Sequence, residues 1–193
     1  MADCLFDLAA DVIKDCDNQP VKGLEKVAYV YNRTKVTITY DVTDTKKITA
    51  IVPTSGNQGY KIEGFNLDMN AGHSIVVSDN LPDKYLQTFN FAAWLLDYAQ
   101  TQNLDNLQDL LVVVESKNKN VDGSGDGTFK AYGVQTGLYK SADDHTANDN
   151  SGARLITVTN RAEQESTVSS HIVLDTDYAT TETMLIASLT PTP

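Results

Sequence analysis

Residues 109–138 read DLLVVVE, then SKNKNVDGSGDG, then TFKAYGVQTGL. The run 110–114 contains only Leu and Val, which is typical of a strand that is buried on both faces. The connector 117–127 contains two Asp-Gly turn dipeptides, and the side chains of 129–134 alternate as in a second strand. The stretch therefore predicts a long hairpin with an exposed tip, and we expect the other elements to pack around it in layers.

Length and composition predict one folded domain over residues 1–193. Of the 193 residues, 41% are hydrophobic and 21% are charged, which suits a sizeable core. The net charge of -11 disfavours binding of nucleic acid through a basic face. Cys4 and Cys16 form no zinc motif and no evident disulfide framework, so a reduced, cytoplasmic folding compartment is expected. No run of about 18 apolar residues predicts a membrane span.

Residues 1–20 are predicted to form a short N-terminal helical arm. Their apolar side chains recur with helical spacing on one face, namely Leu5, Leu8, Ala9, Val12 and Ile13. Asp3 is a candidate N-cap, and the sequence DNQP at 17–20 ends the helix. The first 20 residues contain five Asp against one Lys, which is unlike a signal peptide. The arm is expected to pack either on its own domain or on a neighbouring subunit.

Residues 21–189 are predicted to form a β-rich core. Between 21 and 77 the hydrophobic period is two, and turns interrupt it about every 10 residues. A further strand covers 85–94, with Phe89 and Phe91 on one face and Trp94 in the core. Short strands of this kind indicate an antiparallel β-sandwich or rolled barrel.

The remaining segments are assigned by the same patterns. Leu104, Leu107 and Leu111 have the spacing of one packed internal helix of about two or three turns, with a start as early as Leu95. Residues 140–152 are predicted to be a polar, acidic loop, and 153–159 to be a strand paired with 167–174. Residues 184–189 form a last strand or a docked tail, and 190–193 a frayed end. The expected fold class is thus mainly β, with one packed internal helix and a short N-terminal helix.

No motif for catalysis, cofactor binding or metal binding is found in the sequence. The DGSGDG loop at 122–127 resembles the start of a calcium loop, but Gly133 stands where an EF-hand needs its bidentate carboxylate. His145 lies among acidic residues without a second histidine at ligand spacing. Ser169, Ser170, His171 and Asp175 have the residue types of a nucleophilic triad, but strand neighbours point to opposite faces and would not converge.

Glu63 and Glu115 could be imagined as paired carboxylates, although nothing in the sequence brings them together. Glu115 is instead expected to be the first solvated residue after a buried strand. We therefore expect no enzyme activity, no cofactor and no bound metal.

The order of these pieces resembles tail-tube-type virion proteins of tailed bacteriophages. The stretches that carry the resemblance are DCDN at 15–18, GLE at 23–25, YVYNR at 29–33, YLQTF at 85–89, LVVVE at 111–115, FKAYG at 129–133 and GL at 137–138. Together they span most of 15–174. The resemblance implies a β-sandwich or rolled barrel with a helix packed beside it, in subunits that form rings, commonly of six, stacked into a hollow tube. Related folds serve as tail terminators, tail completion proteins, other virion components and secretion-system tubes.

Under this reading the partners are other copies of the chain and other tail or connector proteins. DNA would pass through the ring without specific binding, and the protein would be assembled in the host cytoplasm and reside in the virion. The two long polar loops would contact the next subunit and become ordered only there. Their candidate contact residues are Asn118, Asn120, Val121, Asp122, Gly123, Asp126, Asp143, Asp144 and Asp149.

The alternative is a small β-sandwich that binds a carbohydrate or a peptide. Such a module needs a cluster of exposed aromatic side chains or a calcium site. Tyr29, Tyr31 and Tyr60 could supply the aromatic rings, although the period of the strand places Tyr29 and Tyr31 beside Val27 on a core face.

Overall fold

The chain folds into two β-sheets and two α-helices in a computed structural model that describes residues 21–65, 68–78, 82–94, 97–119, 124–146, 148 and 152–191. The predicted arm 1–20 lies outside these residues, as do 192–193 of the predicted frayed end. The mainly β, sandwich-like architecture expected from the sequence is confirmed.

The larger sheet has seven strands in the order β2-β3-β11-β8-β7-β1-β4. Its strands are β1 (Leu24–Asn32), β2 (Val36–Tyr40), β3 (Lys47–Pro53), β4 (Tyr60–Glu63), β7 (Leu110–Ser116), β8 (Phe129–Tyr132) and β11 (His171–Val173). All pairs are antiparallel except β3 with β11. The hairpin β7–β8 lies near the middle of the sheet, as the sequence predicts.

The smaller sheet has four strands in the order β5-β6-β10-β9. They are β5 (Asn70–Val76), β6 (Lys84–Ala93), β9 (Tyr139–Asp144) and β10 (Arg154–Thr159), and all pairs are antiparallel. The prediction of a polar loop at 140–152 is therefore wrong for its first part, because residues 140–144 belong to β9. The backbone hydrogen bonds to β10 hold this polar stretch extended without burial of its side chains.

The larger sheet is buried on both faces, because alternate residues of its central strands belong to two different cores. On the face towards the smaller sheet, Val112 and Val114 pack with Phe89, Phe91 and Ile156. The opposite face is covered by the C-terminal helix α2 (Tyr178–Ala187), whose Leu185 is fully buried. The residues packed there are Tyr29, Tyr31, Ile48, Ile51, Leu111, Val113, Phe129, Ala131, Val134 and Val173. The prediction that 110–114 is buried on both faces is confirmed.

Strand β8 ends at Tyr132 because the next residue turns the chain. Gly133 has φ +75°, and a Cβ there would lie 2.3 Å from the carbonyl oxygen of Leu110. Only glycine fits such a left-handed turn against backbone. The alternation predicted through Val134 therefore stops two residues earlier.

The internal helix ends earlier in the chain than predicted. Helix α1 covers Tyr98–Asp105, and Asp97 caps it by accepting a hydrogen bond from the N–H of Gln100 at 2.7 Å. Leu104 and Leu107 pack against the inner core, but Leu111 belongs to β7 and faces the outer core. The spacing of the three leucines was misleading because the helix ends at Asp105, between Leu104 and Leu107. No residue of α1 is buried.

Three further expectations are wrong. Strand β11 pairs with β3 and β8 in the larger sheet rather than with 153–159, which pair with β6 and β9. Residues 184–187 are not a last strand but belong to α2, which docks on the outer core through Leu185 and whose N-cap Asp177 accepts from the N–H of Thr180 at 2.8 Å. Trp94 follows β6 at the surface with 42% of it exposed, so it is not part of the core.

Candidate subunit interface

The two sheets have four free edges among the described strands, and these edges differ in charge. Strand β4 ends the larger sheet with Lys61 and Glu63, whose side chains form an ion pair of 2.6 Å. Strand β9 ends the smaller sheet with Lys140, Asp143 and Asp144. Charged side chains on an edge strand oppose pairing with a second chain. These two edges are therefore protected.

The other two edges, β5 and β2, carry no charged side chain. Strand β5 reads NAGHSIV over seven residues and contains neither Pro nor any Lys, Arg, Asp or Glu. Its end exposes Ile75 by 54% and the following Val77 by 71%. Strand β2 reads VTITY, and Tyr40 is 38% exposed. An uncharged edge with unpaired backbone groups is a template for another strand.

The predicted contact loop between β7 and β8 is fixed at both of its described ends by Tyr178. The Tyr178 hydroxyl donates to Glu115 Oε1 at 2.9 Å, and its ring stacks on Phe129 with centroids 5.3 Å apart. Lys119 pairs with the same oxygen of Glu115 and lies over the Tyr178 ring. At the other end Gly125 has φ +75°, and a Cβ there would lie 2.9 Å from Tyr178 Cδ2.

This anchoring overturns the expectation that Glu115 is solvated, since its side chain is only 14% exposed. Burial raises the pKa of Tyr178, and the hydrogen bond to Glu115 raises it further. Of the loop's candidate contact residues, Asn118 is exposed and accepts from the N–H of Val21 at 3.3 Å, and Asp126 is half-buried. Asn120, Val121, Asp122 and Gly123 lie outside the described residues.

The first part of the second predicted loop, which is strand β9 in the structure, is bound into an ion network. Arg154 on β10 donates to Asp143 at 2.7 and 2.6 Å and to Asp105 at the end of α1 at 2.5 Å, and Lys140 lies 2.7 Å from Asp143. These contacts, the hydrogen bond from Arg154 first, lower the pKa of Asp143 to about 2. Asp143 is thus engaged within its own subunit. Asp144 is exposed on the β9 edge, and Asp149 lies outside the described residues.

Three of the residues considered for chemistry have the following surroundings. His171 is 98% buried, and its Nδ1 has no hydrogen-bond partner among the described residues. Glu63 pairs with Lys61 at the surface, whereas Glu115 contacts Tyr178. Within the described residues no group of three or more His, Cys, Asp or Glu side chains is placed to hold a metal ion.

The aromatic side chains required by the ligand-binding alternative are not clustered at the surface. Tyr29 and Tyr31 are buried in the outer core, and the Tyr31 hydroxyl pairs with Ser188 Oγ at 2.8 Å. Tyr60 is 53% exposed at the start of β4. An exposed aromatic pair is instead formed by Phe65 and Trp94. The sequence patterns placed Trp94 in the core and did not single out Phe65.

None of the described helices has the length and apolar character needed to span a membrane. Comparisons of the chain with protein-family models, with curated proteins and with solved structures gave no match.

Proposed function

We propose that the chain is a structural virion protein, a ring-forming subunit of a phage tail tube or of a related tail or connector ring through which DNA passes. The observation that carries the proposal is the uncharged, exposed edge of β5. Within the described residues the seven residues of β5 have a neighbouring strand on one side only, and such an edge invites aggregation unless a partner strand covers it.

The second uncharged edge suggests how copies would join. A ring requires a head-to-tail contact between two different surfaces of the same chain. Strands β5 and β2 lie at edges of different sheets, so the β5 edge of one copy and the β2 edge of the next are distinct surfaces. The charged edges β4 and β9 would remain outside the contact. Six copies, stacked as rings, is the arrangement that the resemblance implies.

The experiment is to place a lysine on the β5 edge. We expect the parent protein to form rings or tubes in negative-stain microscopy, and Ile75→Lys to remain a folded monomer in size-exclusion chromatography with light scattering. Tyr60→Lys is the matched control, since Tyr60 has nearly the same exposure (53% against 54%) but lies on the charged β4 edge. A parent that stays monomeric at all concentrations, or an Ile75→Lys variant that assembles like the control, contradicts the proposal.

A ligand-binding module remains the second candidate class, and the same preparation separates the two. A monomer that is stabilised by an added carbohydrate or peptide and never assembles would favour it. The parent's oligomeric state is therefore the measurement that decides between the two functions.

A further inference from the structure

Phe65 and Trp94 form a fixed aromatic pair on the surface. Phe65 follows β4 in the larger sheet and is 66% exposed, and Trp94 follows β6 in the smaller sheet and is 42% exposed. Their ring centroids are 5.4 Å apart at an interplanar angle of 82°. The two rings therefore form two walls that meet nearly at a right angle and remain largely open to solvent.

One carboxylate holds both residues in place. Asp68 Oδ2 accepts a hydrogen bond from the indole Nε1 of Trp94 at 3.0 Å and from the backbone N–H of Phe65, also at 3.0 Å. An exposed aromatic side chain that is oriented by hydrogen bonds, rather than by burial, loses little freedom when a ligand binds. The indole of Trp94 is thus oriented before a ligand binds, and the backbone at Phe65 is held beside it.

The chemistry of the pair selects a cation. The face of an aromatic ring carries a partial negative charge, and Trp binds cations best. Donation of the indole N–H to a carboxylate shifts electron density into the ring, which strengthens that face. The charge of Asp68 and the net charge of -11 add to the attraction. A planar guanidinium can stack on one ring and still donate hydrogen bonds in its own plane.

The three arginines of the chain are already engaged in their own subunit. Arg33 pairs with Asp109 at 2.7 Å, and Arg154 pairs with Asp143 and Asp105. Arg161 lies over the ring of Tyr139 at 4.0 Å. A second copy of the chain would have to break one of these contacts before it could offer a guanidinium. We propose that Phe65, Trp94 and Asp68 form a binding site for an arginine side chain of a different partner protein.

The single Trp of the chain makes the site directly observable. The probe is an acetylated and amidated Gly-Arg-Gly peptide, titrated while the fluorescence of Trp94 is recorded. We expect a saturable change with the arginine peptide, and at least a several-fold weaker response with the peptide in which uncharged citrulline replaces arginine. Equal responses to the two peptides, a response to maltohexaose alone, or no response to the arginine peptide overturns the proposal.

Variants separate the site from the general attraction of an acidic protein for a cation. Phe65→Ala keeps the net charge and should raise the dissociation constant about threefold, as expected for one exposed cation–π wall. Val42→Ala, at a fully exposed apolar position, is its control and should change nothing. Asp68→Asn should weaken binding more than Asp144→Asn, although each removes one charge. Phe65→Ala binding like the parent contradicts the assignment.

A lysine of a second copy is the competing occupant, and dilution tests it without any peptide. The protein is diluted until any oligomer dissociates, and the fluorescence of Trp94 is recorded. If the fluorescence stays constant, the site is not occupied by a second copy, which supports a different partner protein. A change that follows dissociation and is abolished by Phe65→Ala overturns it in favour of self-contact. Because the peptide titration does not require rings, its failure and the failure of the assembly proposal are separate results.

Discussion

A buried polar side chain links the two sheets through hydrogen bonds, and its partners could not be predicted from the sequence. Gln87 is 99% buried in β6, where its Oε1 accepts from the N–H of Gly133 at 2.7 Å. Its Nε2 donates to the carbonyls of Val168 at 2.8 Å and Ser169 at 3.0 Å. A period-two pattern shows that Gln87 shares a face with Phe89, but the partners that make its burial tolerable lie in distant segments.

His171 is the residue at which acid should weaken the fold. Burial lowers its pKa, against the opposing charge of Asp44, and its ring lies 6.0 Å from that of Tyr40. A lowered pKa means that the unfolded chain binds the proton more readily, so this stability is present above the ordinary value of 6.5 and lost as pH falls below it. We expect urea unfolding between pH 7 and pH 5 to show a steeper loss for the parent than for His171→Leu. Parallel curves would mean that His171 accepts a proton in the folded state.

At the scale of elements, the sequence predicts the strands well and the helices poorly. The unbroken apolar run 110–114 and the alternation from Phe129 each predict a strand and nothing else. Leucines spaced by three and four predict a helix, but the same spacing also occurs where a helix ends. Helix α2 was missed because its apolar run is short, although Asp177 followed by Thr180 offered a capping signal. The pairing of β11 between β3 and β8 depends on long-range packing that no local pattern encodes.

Leucine truncations should separate the core strand from the weakly packed helix end. Leu111 is fully buried in β7, and we expect Leu111→Ala to lower the free energy of unfolding by an amount in the upper part of the range of about 2–5 kcal/mol. Leu107 is only partly buried after α1, so Leu107→Ala should lie at or below the lower end of that range. Urea denaturation of both variants measures the difference. Equal losses would show that the segment after α1 contributes as much to the core as β7 does.

The ends of the β7–β8 connector, at Lys119 and Gly125, are held by Tyr178, and we expect residues 120–124 between them to be dispensable for folding. Replacing 120–124 with Gly-Gly keeps Lys119, Gly125 and their contacts with Tyr178, so the melting temperature should stay close to that of the parent. Assembly should be impaired, because the tip is the predicted contact with the next subunit. Tyr178→Ala is the complementary change and should lower stability through loss of the Phe129 and Glu115 contacts. A shortened variant that assembles normally would remove the tip from the interface.

At the scale of the whole molecule, charge links the fold to the proposed passage of DNA. A conduit must not hold DNA, and phosphates bind Lys and Arg with release of counterions, so a basic lumen would retain them. The chain has 26 acidic and 15 basic residues, the sign that a repelling wall requires, although solubility alone also favours an acidic surface. We therefore expect the inward-facing surface of an assembled ring to be net negative and the purified protein not to bind DNA at physiological salt.

The positions of individual lysines make this expectation specific. Lys47 lies 3.8 Å from Asp41 and Lys61 lies 2.6 Å from Glu63, so both carry a matching carboxylate wherever they face. Lys35 and Lys46 form no salt bridge within the described residues, and Lys35 directly precedes the uncharged edge β2. We expect these two lysines to meet carboxylates of a neighbouring subunit, so Lys35→Glu should impair ring formation in negative-stain images while Lys61→Glu should not. A ring whose channel is lined by Lys35 or Lys46, or filter-binding retention of DNA by the parent, would contradict this arrangement.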